Sequence, residues 1–344
     1  MEKTKFYSWK NGNLCRGCKL CVKGDKLVLF ITGICPRNCW YCSISEKKKN
    51  KDIIFANERP ITNVDEAIEE AKLCDATGAG ITGGDPLSKL DRTIEYIKAL
   101  KKEFENFHIH LYTSLDLVDE DKLKQLFDAG LDEIRFHLDL DDKLWNKLEL
   151  AKKFRWKVGV EIPVIPGMKE QTIKLIEFIK DKVDFLNLNE LEYSEINSGE
   201  YNKRDLTAKS ELSYGIKGSE ELALELLELF PDMNVHYCTS RLKDAVQLAN
   251  RIKKRARNVK QNFDIVTDEG MLIRGAVYDA DDLEKAKQEI GLKEIIIDKR
   301  KHRLLLSSKN IKKFAKKIKQ LGYKPAIVEE YPTWDCLQIE VTFL

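Results

Sequence analysis

From Lys26 to about Ser240 the chain alternates short apolar runs with amphipathic stretches, and that alternation admits few folds. The runs Leu27–Gly33, Gly80–Thr82, His108–Tyr112, Glu133–Leu138, Lys157–Val164 and Phe185–Asn189 read as strands. Helical patterns fill the gaps. Asn63 and Glu66 have the spacing of a capping box. Arg92 to Phe104 places Ile94, Ile97, Leu100 and Phe104 on one face. Helices are also expected at Asp119–Ala129, Asp142–Phe154, Gln171–Val183 and Ser219–Phe230. Six strands, each followed by a helix, imply parallel strands joined by right-handed crossovers. The span falls short of the ~250 residues that eight such units need. The expected fold class is therefore α/β, a partial (β/α)6 TIM-type barrel. In such a fold, chemistry collects at the C-terminal ends of the strands.

The rhythm changes after a helix expected over Ser240–Lys260. A hairpin around Asp268–Gly270, a helix at Asp281–Ile290, strands Glu294–Asp298 and Arg303–Ser307, a basic helix at Lys309–Leu321 and strands Ala326–Glu330 and Leu337–Phe343 read as a small α+β domain. The expected division is a cysteine-rich segment 1–25, a barrel 26–257 and an α+β domain 258–344. A 43% hydrophobic content with 34% charged residues excludes a disordered or fibrous chain. The longest apolar run, Leu27 to Cys35, is too short to span a bilayer. Met-Glu-Lys-Thr-Lys leads into no apolar signal core. The expected location is cytoplasmic, with no membrane partner. There, nine cysteines point to metal ligands or core residues rather than disulfides.

Seven of the nine fall into groups. Cys35-Pro-Arg-Asn-Cys39-Trp-Tyr-Cys42 follows the first strand. Three thiolates in one loop can hold an iron–sulfur cube with one iron left open to another ligand. A zinc site or coincidental spacing is the alternative. Ile81-Thr82-Gly83-Gly84-Asp85-Pro86 ends the second strand; alone it would be an ordinary turn. Together, Cys35-x3-Cys39-x2-Cys42, with Tyr41 before the last cysteine, and Gly83-Gly84-Asp85-Pro86 resemble the radical SAM superfamily. The usual form of the second motif is Gly-Gly-Glu-Pro, so Asp85 departs from it. Val164-Ile-Pro-Gly167 resembles a loop of the glycyl-radical-enzyme activases. The likeness covers roughly Lys26 to Ser240, and the nearest branch is a set of archaeal proteins loosely related to pyruvate formate-lyase activating enzyme.

The resemblance implies that Cys35, Cys39 and Cys42 hold a 4Fe–4S cluster whose fourth iron chelates S-adenosylmethionine. Reductive cleavage would give methionine and a 5′-deoxyadenosyl radical that abstracts hydrogen from a substrate. Gly83 and Gly84 would let backbone approach the methionyl group, Pro86 would fix the turn, and Tyr41 would either contact adenine or pack beside the cluster. Polar residues at the strand ends are further candidates for SAM or substrate: Thr113 and Ser114, His137 and Asp139, Glu161, and Asn187, Asn189 and Glu190. The ordinary reading of each is a helix cap or a solvated side chain. His108 and His110 read as satisfied core or surface histidines, and His302 as solvated.

Cys15-Arg-Gly-Cys18-Lys-Leu-Cys21 precedes the first strand. With Cys238 as fourth ligand, or His236 in its place, it would form a structural zinc site or an auxiliary cluster; free thiols are the third reading. Cys74 and Cys336 read as core thiols.

Charge adds one clue. Arg241 to Leu344 holds 23 basic and 15 acidic residues, against 36 and 42 before it. Arg251–Lys260 and Lys309–Lys319 are basic helices that would contact phosphates or form a solvated lysine face. Three functions follow. The first is a radical SAM enzyme acting on a macromolecule, with RNA modification favoured by the basic tail. The second is an activase-like enzyme that forms a radical on, or modifies, a protein or peptide. The third is a non-catalytic iron–sulfur or zinc protein that binds nucleic acid. Either enzyme would need an electron donor of ferredoxin or flavodoxin type.

Overall fold

A computed structural model describes residues 1–344. The chain forms two compact units, residues 1–72 with 76–248, and residues 73–75 with 249–344.

The first unit is built on seven parallel strands. They are β1 (Lys26–Phe30), β2 (Gly78–Thr82), β3 (His108–Ser114), β4 (Glu133–His137), β5 (Lys157–Val164), β6 (Phe185–Glu190) and β7 (Val235–Cys238), each paired with the next. Parallel neighbours need crossovers, and most are the helices anticipated: α2 (Val64–Leu73), α3 (Leu90–Glu103), α4 (Glu120–Asp128), α5 (Lys169–Ile179) and α6 (Ser219–Leu229). The architecture is the expected partial barrel with one strand more than the six read from the sequence. Antiparallel hairpins flank both ends of the sheet. Ile54–Ala56 pairs with β1, and Trp9–Asn11 pairs with β7. The core between sheet and helices is apolar, from Leu27, Leu29 and Ile81 through Ile109, Ile134 and Val160 to Leu186 and Tyr237.

The inner face of the strands is polar. Lys26, His108, His110, Glu133, Arg135, Asn187 and His236 are all buried. Beneath them lies α1 (Arg16–Val22), whose Gly17 N–H donates to Glu133 Oε2 at 3.2 Å. The cysteine-rich segment thus closes the floor of the barrel, at the N-terminal ends of the strands.

Two helices expected as single elements are divided. Asp142–Phe154 is a 3₁₀ turn over Asp142–Lys147 followed by one short helix, Leu148–Ala151. Ser240–Lys260 is a short turn at Ser240–Leu242, a π-helical stretch at Lys243–Leu248, and α7 (Ala249–Val259).

The second unit is an antiparallel sheet. Its strands are β8 (Leu272–Tyr278), β9 (Ile296–Asp298), β10 (Arg303–Leu306), β11 (Lys324–Glu330) and β12 (Gln338–Phe343), in the order β9-β10-β8-β11-β12. Helices α8 (Leu283–Ile290) and α9 (Ser308–Gln320) supply Ala286, Ile290, Ile311 and Ile318 to its core. Lys309, Lys312, Lys313, Lys316, Lys317 and Lys319 of α9 are exposed. Under the sheet, Arg303 grips both oxygens of buried Glu330 at 2.9 and 2.8 Å.

Candidate active site at the C-terminal mouth of the barrel

The C-terminal ends of the strands open into a cleft of about 480 Å³. That lies within the range of small-ligand sites. Its rim is the loop after β1, which carries Cys35, Cys39 and Cys42, all partly exposed free thiols. Burial pushes the Cys35 and Cys39 thiols up from their ordinary range. Three soft donors in one loop suit an iron–sulfur cube. No three donors in the chain converge on a single ion, and a cube does not require it, because each thiolate takes a different iron.

The turn after β2 clasps this loop. Gly84 N–H donates to Thr32 O at 2.7 Å, and Asp85 N–H to Ile34 O at 2.9 Å. A Cβ on Gly83 would lie 2.5 Å from Thr32 O, and one on Gly84 would lie 2.4 Å from Ile34 O. The paired glycines are therefore required by backbone packing against the cysteine loop, besides any approach to a ligand.

Asp85 is buried. Its Oδ1 accepts from Leu87 N at 3.0 Å and Thr113 Oγ1 at 2.8 Å; its Oδ2 accepts from Ser114 N at 3.1 Å and Ser114 Oγ at 2.8 Å. The carboxylate joins the ends of β2 and β3 and has no oxygen left for a ligand. Pro86 opens the next turn and is buried.

On the opposite wall, His137 Nδ1 lies 3.1 Å from Glu161 O, and Tyr41 Oη lies 2.9 Å from His137 Nε2. A carbonyl only accepts, so Nδ1 carries the proton and Tyr41 donates to Nε2. Burial lowers the affinity of His137 for a second proton. Asp139, expected at the ligand, instead pairs with Arg37. Arg37 also donates to His137 O at 3.1 Å. The structure thus gathers Tyr41, Gly83, Gly84, Thr113 and His137 around the cysteine loop, while Asp85 and Asp139 serve its neighbours.

Glu161 lines the cleft. It accepts from Arg135 Nη1 at 2.9 Å, Asn187 Nδ2 at 2.8 Å and Asn189 Nδ2 at 2.9 Å. Glu190 also lines the cleft, and its Oε2 accepts from Ser240 N and Oγ. The far side of the cleft holds Leu191, Tyr201, Lys243 and Glu192, and Lys243 Nζ donates to Glu192 Oε1 at 2.6 Å. Tyr201 meets Trp40 edge-on at 5.6 Å.

Arg37, Arg135, Tyr201 and Lys243 were not anticipated. Arg135 was within reach of the strand alternation, two residues before His137 in β4. Tyr201 and Lys243 come from irregular segments that carry no periodic signal.

Two comparisons bear on this geometry. Residues 29–179 match the model of the radical SAM superfamily. Along nearly its whole length the chain is 46% identical to "Putative glycyl-radical enzyme activating enzyme" of Methanocaldococcus jannaschii, over 98% of this chain and 95% of that one. This chain belongs to the radical SAM superfamily. As a radical SAM enzyme it binds a 4Fe–4S cluster and S-adenosylmethionine. A biotin synthase of Psychrobacter cryohalolentis is 30% identical, but over 39% of this radical SAM chain and 35% of the synthase. Among solved structures, Streptococcus suis SuiB bound to S-adenosylmethionine aligns with a TM-score of 0.45, at 14% identity over 65% of this chain and 53% of that one. Residues 270–344 match a domain of unknown function.

At the floor, the structure brings Cys15 and Cys18 together on Arg135, while Cys238 packs with Val22 and Leu242 and its Sγ lies 3.8 Å from Gln247 Nε2. His236 Nε2 lies 3.2 Å from Ser8 Oγ. Cys74 is fully buried in the core, as expected, and Cys336 lies beside Arg300.

Proposed function

We propose that this radical SAM enzyme is an activase: it takes a hydrogen atom from a glycyl residue of a protein substrate. The observation that carries the reading is the full-length likeness to the M. jannaschii protein. The RNA reading rests on the basic stretches Arg251–Lys260 and Lys309–Lys319, and none of the relatives named above supports it. We assign Cys35, Cys39 and Cys42 to the cluster.

With cluster and SAM bound, reductive cleavage of the sulfonium supplies the 5′-deoxyadenosyl radical that removes the hydrogen. The chain's residues hold and shield. The Gly83–Pro86 turn fixes the cysteine loop through Thr32 and Ile34. Asp85 locks that turn to β3. Tyr41 and His137 offer a hydrogen-bonded wall in which burial disfavours the charged imidazole. Trp40, Leu191 and Tyr201 form an apolar flank that limits water. Lys243 and Glu192, both lining the cleft, stand where a substrate segment would enter. The reductant is of ferredoxin or flavodoxin type, in a cytoplasmic, reducing setting.

The test is anaerobic reconstitution with dithionite and SAM, alone and with a glycyl radical enzyme from the same genome. The reading expects 5′-deoxyadenosine and a glycyl radical signal by electron paramagnetic resonance. Both should vanish in Cys35→Ala. Formation of 5′-deoxyadenosine with altered nucleosides in cellular RNA, and no protein radical, would overturn the activase assignment. No 5′-deoxyadenosine with a full cluster would overturn catalysis itself.

A further inference from the structure

The cysteines of α1 lie outside the cleft, and the proposed radical chemistry has no use for them. Cys15 caps the helix and Cys18 stands one turn on. Residues three apart at a helix start have Cα atoms roughly 5 Å apart, inside the range that a disulfide spans. The Cys18 N–H donates to Cys15 Sγ at 3.5 Å. One donor serves both: Arg135 Nη2 is 3.3 Å from Cys15 Sγ and 3.6 Å from Cys18 Sγ.

The surroundings favour a thiol pair over a bound cation. A buried guanidinium already supplies the positive charge beside both sulfurs. Asn187 Nδ2 lies 3.3 Å from Cys18 Sγ, and Glu133 Oε1 lies 3.7 Å from Cys15 Sγ. Cys18 is buried, whereas Cys15 is partly exposed, so an incoming reagent meets Cys15 first and Cys18 is poised behind it.

We propose that Cys15 and Cys18 form a reversible dithiol–disulfide site whose co-reactant is another disulfide, that of a small thiol or of a dithiol protein. The exchange balances. The S–S bond of the co-reactant breaks, the Cys15–Cys18 S–S bond forms, and two thiols leave carrying the two protons. The cysteines lose two electrons and the co-reactant gains two. Arg135 ties the site to the cleft, because its Nη1 donates to Glu161 while its Nη2 holds the sulfurs.

The site is tested on the anaerobic holoenzyme incubated with oxidised dithiothreitol. The mixture is acid-quenched, alkylated in denaturant and digested with trypsin without reduction. Trypsin cuts after Arg16 and Lys19, so a Cys15–Cys18 bond leaves two fragments joined. The joined species should predominate, revert to separate alkylated fragments with reduced dithiothreitol, and be absent from Cys15→Ser. Three results would overturn the proposal: Cys15 and Cys18 alkylated throughout while Cys336 reacts; Cys18 linked to Cys21 instead; or iron or zinc beyond the first cluster that disappears in Cys15→Ser. All of these readings use wild-type protein as reference and none requires activity, so they stand apart from the activase test.

Discussion

Asp85 has a short carboxylate at a position where the superfamily usually has glutamate, and its two oxygens together accept from four donors of the adjacent backbone and side chains. Each oxygen faces a backbone N–H, that of Leu87 or of Ser114. An asparagine therefore has to aim its NH₂ at an N–H whichever way the amide is turned. Asp85→Asn should lower stability by about 2 kcal/mol, as expected for a buried group left facing the wrong partner. Urea denaturation of the two proteins checks this, and an unchanged midpoint would mean the clasp is not load-carrying. The Gly-Gly-Asp-Pro motif was legible from residue order. What Asp85 holds was not, because Thr113 and Ser114 come from the following strand and only the parallel register brings them near. The same holds for Asp139: its partner Arg37 is about a hundred positions away in the chain and shares no local pattern with it.

At the scale of elements, the decisive contact is between a turn and a loop. The turn after β2 meets the cysteine loop backbone to backbone, and glycine is what makes that approach possible. Gly84→Ala places a methyl group against two carbonyl oxygens, so the cysteine loop has to shift. The expected outcome is a severalfold loss of iron per chain after reconstitution, with the fold retained by circular dichroism. Gly199→Ala, where a Cβ meets nothing within 4 Å, is the control and should keep its iron. Full iron in Gly84→Ala would show that the clasp does not position the cluster loop. Long amphipathic helices were readable from their period, and the buried parallel strands as short apolar runs between turn signals. β7 escaped because Val235–Cys238 is only four residues long and carries His236 and Tyr237 at its centre in place of an apolar run. The helix expected at Asp142–Phe154 opens instead as a tight 3₁₀ turn that Asp141 caps, and only Leu148–Ala151 is α-helical, a local choice that apolar spacing does not record.

Across the whole barrel, the polar interior makes folding depend on pH in a stated direction. His108 is buried beside Lys26, whose Nζ lies 3.1 Å from its Nδ1. Burial first, and the charge of Lys26 second, hold the His108 imidazole down at about 3. His110, one layer up and fully enclosed, is lowered for the same first reason. The unfolded chain binds a proton at each imidazole near pH 6.5, whereas folded His108 binds one only near pH 3. Between those values the unfolded state carries the extra proton, so stability falls as pH drops through the window and is not lost further by this group below it. Each such imidazole contributes up to about 1.4 kcal/mol per pH unit. His108→Gln keeps an acceptor for Lys26 but cannot titrate. Its urea midpoint should therefore fall less than that of the wild type between pH 6.5 and pH 5, the difference approaching about 2 kcal/mol once converted. Parallel curves for the two proteins would show that the acid sensitivity of the barrel arises from its carboxylates rather than from this buried imidazole.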